Sequence, residues 1–218
     1  MNDAMRRRFP LRLALVAGAV LLVVLIAVGV VRAATAPKGL TTAQFETLVK
    51  SGSLAGVANT LTGGPAQPSV DPEQQAAAYQ SVPTCTTYWQ AAHDHLLSSA
   101  TALPVNANES LVEGIDTELW DDTGSAASAV DLWSRCLQDF QEVSKSTSYP
   151  LKVVSQGTTG EVSWRYSESN DLSYPVRLLV LRDRNLIATF SLPDGPAADW
   201  RDQLIKRLAA DVAKASKS

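Results

Sequence analysis

The chain has 218 residues, 45% of them hydrophobic, which excludes a disordered polymer, and its formal net charge is −3. Five of the 19 Lys and Arg but only one of the 22 Asp and Glu lie in residues 1–32, leaving 14 basic and 21 acidic groups, net −7, in the other 186 residues. A part of that length buries one core, and its acidity argues against nucleic acid and anionic headgroups as partners.

The first predicted element is Leu13–Val31, LALVAGAVLLVVLIAVGVV. Its 19 residues carry no charge, and 13 of them are Leu, Val or Ile. As a helix it spans roughly 29 Å, the hydrocarbon thickness of a bilayer. Arg6, Arg7, Arg8 and Arg12 precede it, against Arg32 and Lys38 after it, so residues 1–12 are expected in the cytoplasm and the remainder outside. A cleaved signal peptide is the competing reading. The run exceeds the usual apolar length of about 7–15 residues, and Pro37 follows the small residues Ala34-Thr35-Ala36. The lipid bilayer is thus the first expected partner, through residues 13–31, in a single-pass arrangement.

Residues 32–40 are expected to be a tether, followed by an extracytoplasmic domain over 41–214 and a tail at 215–218. Thr41-Thr42-Ala43-Gln44 reads as a capping box opening a helix to about Gly52, with Phe45, Leu48 and Val49 on its apolar side. Leu61–Asp71 holds two Gly and two Pro and is expected as loop, and Asp71-Pro72 as the start of a short helix to about Gln80. Thr84–Ser99 has helical periodicity, with Cys85, Tyr88, Trp89, Ala92 and Leu96 on one side. In Glu109–Trp120 the alternation of Ile115, Thr117 and Leu119 suggests a strand. After a turn at Asp121–Gly124, Ser125 is expected to cap a helix to about Ser144. Its inward stripe is Ala126, Ala129, Val130, Trp133, Leu137 and Phe140, with Cys136 inside the arc.

From Tyr149 the period becomes two. Strands are expected over Leu151–Gln156, Glu161–Ser167, Val176–Arg182 and Leu186–Leu192, with turns at Gly157–Gly160 and Asp183–Asn185. Pro196 is expected to start a closing helix carrying Trp200, Leu204, Leu208 and Val212. This order predicts an α+β domain with a mostly antiparallel sheet packed by helices.

Cys85 and Cys136 are the only cysteines. Outside the cytoplasm such a pair is expected to form a disulfide between two helices, whereas a redox-active pair usually sits closer, as in CxxC. His93-Asp94-His95 is the one metal-like cluster, but on a helix the two imidazoles stand about 160° apart and cannot share an ion. GxSxG, HExxH, SxxK, P-loop and GxGxxG motifs are absent, and two histidines leave little for a triad. No metal, cofactor or catalytic residue is expected. Glu113, Asp116, Glu118, Asp121 and Asp122 form an acidic group without calcium-loop spacing, and read as a solvated strand edge and helix start. Asn108-Glu109-Ser110 matches a glycosylation sequon, a frequent triplet. Trp89, Trp133 and Trp200 are expected in the core. Trp120, at a strand end beside acids, is the candidate for an exposed ligand contact.

The segments SAVDLWSRCLQDF, with Trp133 and Cys136 as W-x-x-C, VRLLVLRDRNLIATFSL and ADWRDQLIKRLAADV resemble the extracellular sensor domain of PknH-type actinobacterial kinases and its stand-alone relatives. Upstream, PTCTTYW matches the partner cysteine and TTAQFETLV the opening helix, so residues 40–214 are covered. The resemblance implies an antiparallel sheet with helices, a groove for a ligand, no enzymatic activity, and correspondence of Cys85–Cys136 to the family's first disulfide. The chain departs in having no cysteines for the second disulfide and no kinase before the membrane segment. The expected function is a non-catalytic ligand-binding, sensor-like domain for a small molecule, lipid, glycan or protein. A scaffold or assembly factor for an envelope complex and a carboxylate-dependent envelope hydrolase are the alternatives.

Overall fold

The computed structural model describes residues 38–66, 82–105, 112–144, 151–169, 176–193 and 199–218. Leu13–Val31, the helix expected after Asp71-Pro72 and the sequon lie outside the described residues, among which no helix is long and apolar enough to cross a membrane. The order is α1 (Thr42–Val49), β1 (Ser53–Leu54), β2 (Val57–Ala66), α2 (Pro83–His95), β3 (Leu96–Pro104), β4 (Gly114–Trp120), α3 (Thr123–Ser144), β5 (Leu151–Thr159), β6 (Val162–Ser169), β7 (Arg177–Asp183), β8 (Leu186–Ser191) and α4 (Trp200–Ala215). The fold is α+β, as expected, around an antiparallel sheet in the order β1-β2-β3-β4-β8-β7-β6-β5.

The pleat sends alternate residues to two different cores. Leu186, Ala188 and Phe190 on β8, with Ile115 and Leu119 on β4, face Phe45 of α1 and Leu204, Leu208 and Val212 of α4. Ile187, between them on β8, faces the other way, into a second cluster with Trp120, Tyr88 and Ala92 of α2 and Ala126 and Ala129 of α3. The sheet is therefore covered by α1 and α4 on one side and by α2 and α3 on the other.

Helix α1 opens with the expected capping box: Gln44 N–H donates to Thr41 Oγ1, and Thr41 N–H to Gln44 Oε1. The end of the expected tether is not free. Leu40 is buried, its N–H donates to Asn185 Oδ1 (2.7 Å), and Asn185 Nδ2 donates to the Leu40 carbonyl (3.0 Å).

Five boundaries differ from expectation, each for a physical reason. Leu61–Ala66 belongs to β2 rather than to a loop. Beyond Ala58, β2 pairs with β3 on one side, through bulges at Leu61/Gly63 and Gly63/Ala66, and Pro65 is tolerated on such an irregular strand. The helix expected to Ser99 stops at His95, and LLSSATALP runs on as β3 with Leu96, Ser98, Ala100, Ala102 and Pro104 inward. Helix α3 is capped by Asp122, not Ser125: Ser125 N–H donates to Asp122 Oδ1 (2.8 Å). Strand β5 continues through Gly157, whose missing Cβ leaves room for the Trp164 ring; a Cβ there would lie 2.9 Å from Cζ2. The closing helix begins at Trp200 behind Asp199, and Pro196 lies outside the described residues.

Candidate functional site

Cys85 and Cys136 form the expected disulfide, joining α2 to α3 in a buried cluster with Val82. Thr84 Oγ1 adds a bond to Asp139 (2.7 Å) between the same two helices. The helix pair leaves a groove of about 420 Å³ between itself and the sheet, within the range of small-ligand pockets. Tyr88 and Trp89 of α2 and Trp133 of α3 form its walls, and Thr101 of β3, Asp116 and Glu118 of β4 and Thr189 of β8 lie on the sheet side.

The three aromatic rings lie at angles to one another. Tyr88 is 4.9 Å from Trp133 and 5.1 Å from Trp89 between centroids, and the Trp89–Trp133 pair is 6.4 Å apart with planes 74° to each other. Trp89 and Trp133, expected in the core, are half-buried because their rings edge the groove; Trp200 is buried as expected.

Trp120, the residue expected to be exposed, is completely buried. The α2–α3 pair covers the end of β4, and the indole Nε1 donates to Glu118 Oε2 (3.1 Å), so the polar edge needs no solvent. Glu118 Oε1 accepts from the Tyr88 hydroxyl (3.1 Å). Burial pushes the Glu118 carboxyl above its ordinary range; the two donors pull it partly back, and Asp116 adds to the rise. Tyr88 is raised well above its usual value by burial and by the neighbouring carboxylate.

The acidic group does not act as one. Asp116 is exposed on the same strand face as Glu118 and accepts from Thr101 Oγ1 (2.9 Å). Asp122 caps α3, and Asp121 pairs with His95 (2.7 Å), whose imidazole the hydrogen bond raises above its ordinary value. Glu113, just before β4, is exposed. His93 and His95 sit on α2 as expected, and among the described residues no three His, Cys, Asp or Glu side chains gather as a metal site.

A neighbouring hollow of about 430 Å³ lies between α3 and β5–β7 and contains Arg165 and Arg182. Arg165 is engaged there with Asp131 (2.8 Å), Gln156 (3.2 Å), the Val130 carbonyl (3.1 Å) and Ser134, which ties β6 to α3. The aromatic walls were present in the sequence as the helical stripes of α2 and α3. The role of Glu118 was missed, because burial of one carboxylate in an acidic run leaves no signal in the run itself.

No protein-family model matches the chain, and no curated protein and no solved structure does so either.

Proposed function

We propose that the chain is a membrane-tethered extracytoplasmic domain that binds a ligand without catalysis, in the manner of the sensor domain it resembles. The observation that carries this reading is the groove between the α2–α3 pair and the sheet, with Tyr88, Trp89 and Trp133 on its walls and polar side chains on its floor. The apolar run Leu13–Val31 and the basic residues before it support the tether. The Cys85–Cys136 bridge accords with an oxidising compartment.

The scaffold reading has less support. Among the described residues the exposed large apolar side chains are divided between β3 and its end (Leu97, Leu103, Val105), β5 (Val153, Val154) and the residue before β7 (Val176), and four strands lie between β3 and β5 in the sheet. Hydrolysis is favoured by one observation, that Asp116 and Glu118 both line the groove. Against it, each Glu118 oxygen already accepts a hydrogen bond, so a transferable proton competes with Tyr88 and Trp120.

The test is native mass spectrometry of the full chain purified in dodecyl maltoside, followed by analysis of what denaturation releases. A lipid, glycan or small molecule at near-unit stoichiometry, lost in Trp133→Ala with the fold retained, supports binding in the groove. A stable protein partner, with the groove variant unaffected, overturns it in favour of a scaffold.

A further inference from the structure

We infer that the occupant of the groove is a small organic cation, an alkylammonium group seated against Tyr88, Trp89 and Trp133 and balanced by Asp116 and Glu118. The inference rests on the proposed ligand-binding reading and specifies the chemistry of the ligand.

Two independent features favour positive charge. The first is the arrangement of rings. The planes of Tyr88, Trp89 and Trp133 are turned 44° to 74° from one another, and all three residues line the cavity. Tyr88 is buried against both indoles, so the half-buried Trp89 and Trp133, with planes 74° apart, are the rings that can present negative π-density to the cavity from two directions, which attracts a cation most strongly where water is excluded. A flat apolar ligand is better served by parallel rings.

The second feature is the sign of the ionisable groups. Among the described residues the lining holds Asp116 and Glu118 and no Lys, Arg or His. The nearest basic lining, Arg165 and Arg182, belongs to the neighbouring hollow, where Arg165 is already paired with Asp131. An anion in the groove would meet two carboxyl groups, and the guanidinium that reaches its wall at Val130 and Ser134, Arg165, is already neutralised by Asp131. A neutral ligand would leave Glu118 in a site that opposes its charge. A cation relieves that opposition, because an adjacent positive charge favours the ionised carboxyl.

Glu118 is also positioned in advance. Tyr88 from α2 and Trp120 from β4 each hold one oxygen, so the carboxylate is oriented before any ligand arrives. The other titratable groups beside it are Asp116 on its own strand and the Tyr88 phenol of α2, which burial and Glu118 hold above its usual value; its cross-strand neighbours, Ser99 on β3 and Ile187 on β8, and the α3 residue Trp133 carry no such group, and Ser134 of α3 accepts from Arg165, which is paired with Asp131. Cation binding is therefore linked to loss of the Glu118 proton and strengthens as pH rises through the folded Glu118 value.

The experiment is a calorimetric titration of the full chain in dodecyl maltoside with choline and, separately, with the uncharged isostere in which carbon replaces the quaternary nitrogen. Choline is expected to bind about tenfold more tightly than the isostere. Glu118→Gln should remove most of that preference, lowering choline affinity toward that of the isostere. Asp116→Asn, an exposed change with little risk to folding, should reduce it in the same direction. Equal affinity for the two probes overturns the cation and leaves the groove reading standing. Binding of neither, in a chain that still carries a co-purified neutral or anionic molecule, overturns the cation alone. Binding of neither by a folded chain with no co-purified molecule overturns both.

Discussion

Tyr88 on α2 donates its hydroxyl hydrogen to Glu118 on β4 across 3.1 Å, and this bond joins the helical wall of the groove to its floor. Tyr88→Phe removes one of the two donors that hold a half-buried carboxyl. The expected cost is about 1.5–3 kcal/mol in urea unfolding, because the bond is made to an ionisable group. The Glu118 carboxyl should rise further, since a bond to its charged form is lost. A variant as stable as the parent, with an unchanged acid-range profile, would show that the bond contributes nothing.

The same carboxyl makes a pH prediction. Burial holds Glu118 above the ordinary 4.5, so folding takes up a proton. Its contribution to stability is fully present below that ordinary value and is lost as pH rises through the folded value. Glu118→Gln should flatten this part of the profile, so that the parent loses stability relative to the variant on going from acid to neutral. Unfolding midpoints measured across that range check the sign; parallel curves would refute it.

The Cys85–Cys136 bridge closes a loop with a sequence separation of 51. In the chain-entropy treatment such a crosslink contributes roughly 4 kcal/mol. Reduction should lower the unfolding midpoint accordingly and loosen α2 from α3 before the sheet melts, because the bridge and Thr84–Asp139 tie those helices together. Thiol titration of the denatured, unreduced chain should find none. Two reactive thiols would refute the bridge.

Asn185 is the polar clamp of the fold. Its amide bonds both backbone groups of Leu40, and Nδ2 also donates to the Trp120 carbonyl (2.7 Å), all in buried surroundings. Asn185→Ala leaves three backbone groups without their partner and should cost about 3 kcal/mol or more. Amide exchange at Leu40 should accelerate more than at α4, because Leu40 N–H loses its acceptor.

Much of this fold was legible in particular residues. Leu186 to Phe190, Ile115 to Leu119 and the Trp200–Val212 stripe show their periods openly, and the cysteines fall on the facing sides of two apolar helices. The first hairpin was hidden because Ala55-Gly56 makes its turn with positive φ at both residues, and Ala there carries none of the usual Asn-Gly signal. Strand β3 was hidden because its inward positions include the small residues Ser98, Ala100 and Ala102, whose weak hydrophobic contrast with their neighbours masks the period of two. Trp120 and Glu118 were misread together. Acidic neighbours suggested solvent, whereas the indole and the carboxyl satisfy each other under α2 and α3. Such mutual burial depends on what covers a strand, which local sequence does not encode.

Outside the groove, His95 and Asp121 fasten the α2–β3 junction to the β4–α3 turn: the imidazole meets the carboxylate at 2.7 Å, and Asp121 N–H donates to the His95 carbonyl (2.9 Å). The hydrogen bond that the imidazole donates to Asp121 raises it above 6.5, helped by the charges of Asp121, Asp94 and Asp122. A raised folded value makes the His95 contribution fully present below 6.5 and lost as pH rises through the folded value. Asp121 has the opposite sign. Desolvation pushes it up, but His95 and the Ser125 hydroxyl side of the turn, with backbone donation from Asp122, bring it net below 3.8, so its share is present above that value and lost on acidification through the folded one. The pair therefore stabilises the junction between the two titrations. Both groups are solvent-accessible, so salt should weaken the effect. An NMR titration of the imidazole should give a value above 6.5 in the parent and a lower one in Asp121→Asn, and the same variant should lose the pH-dependent part of the junction's exchange protection. An imidazole that titrates identically in parent and variant would show that the contact does not persist in solution.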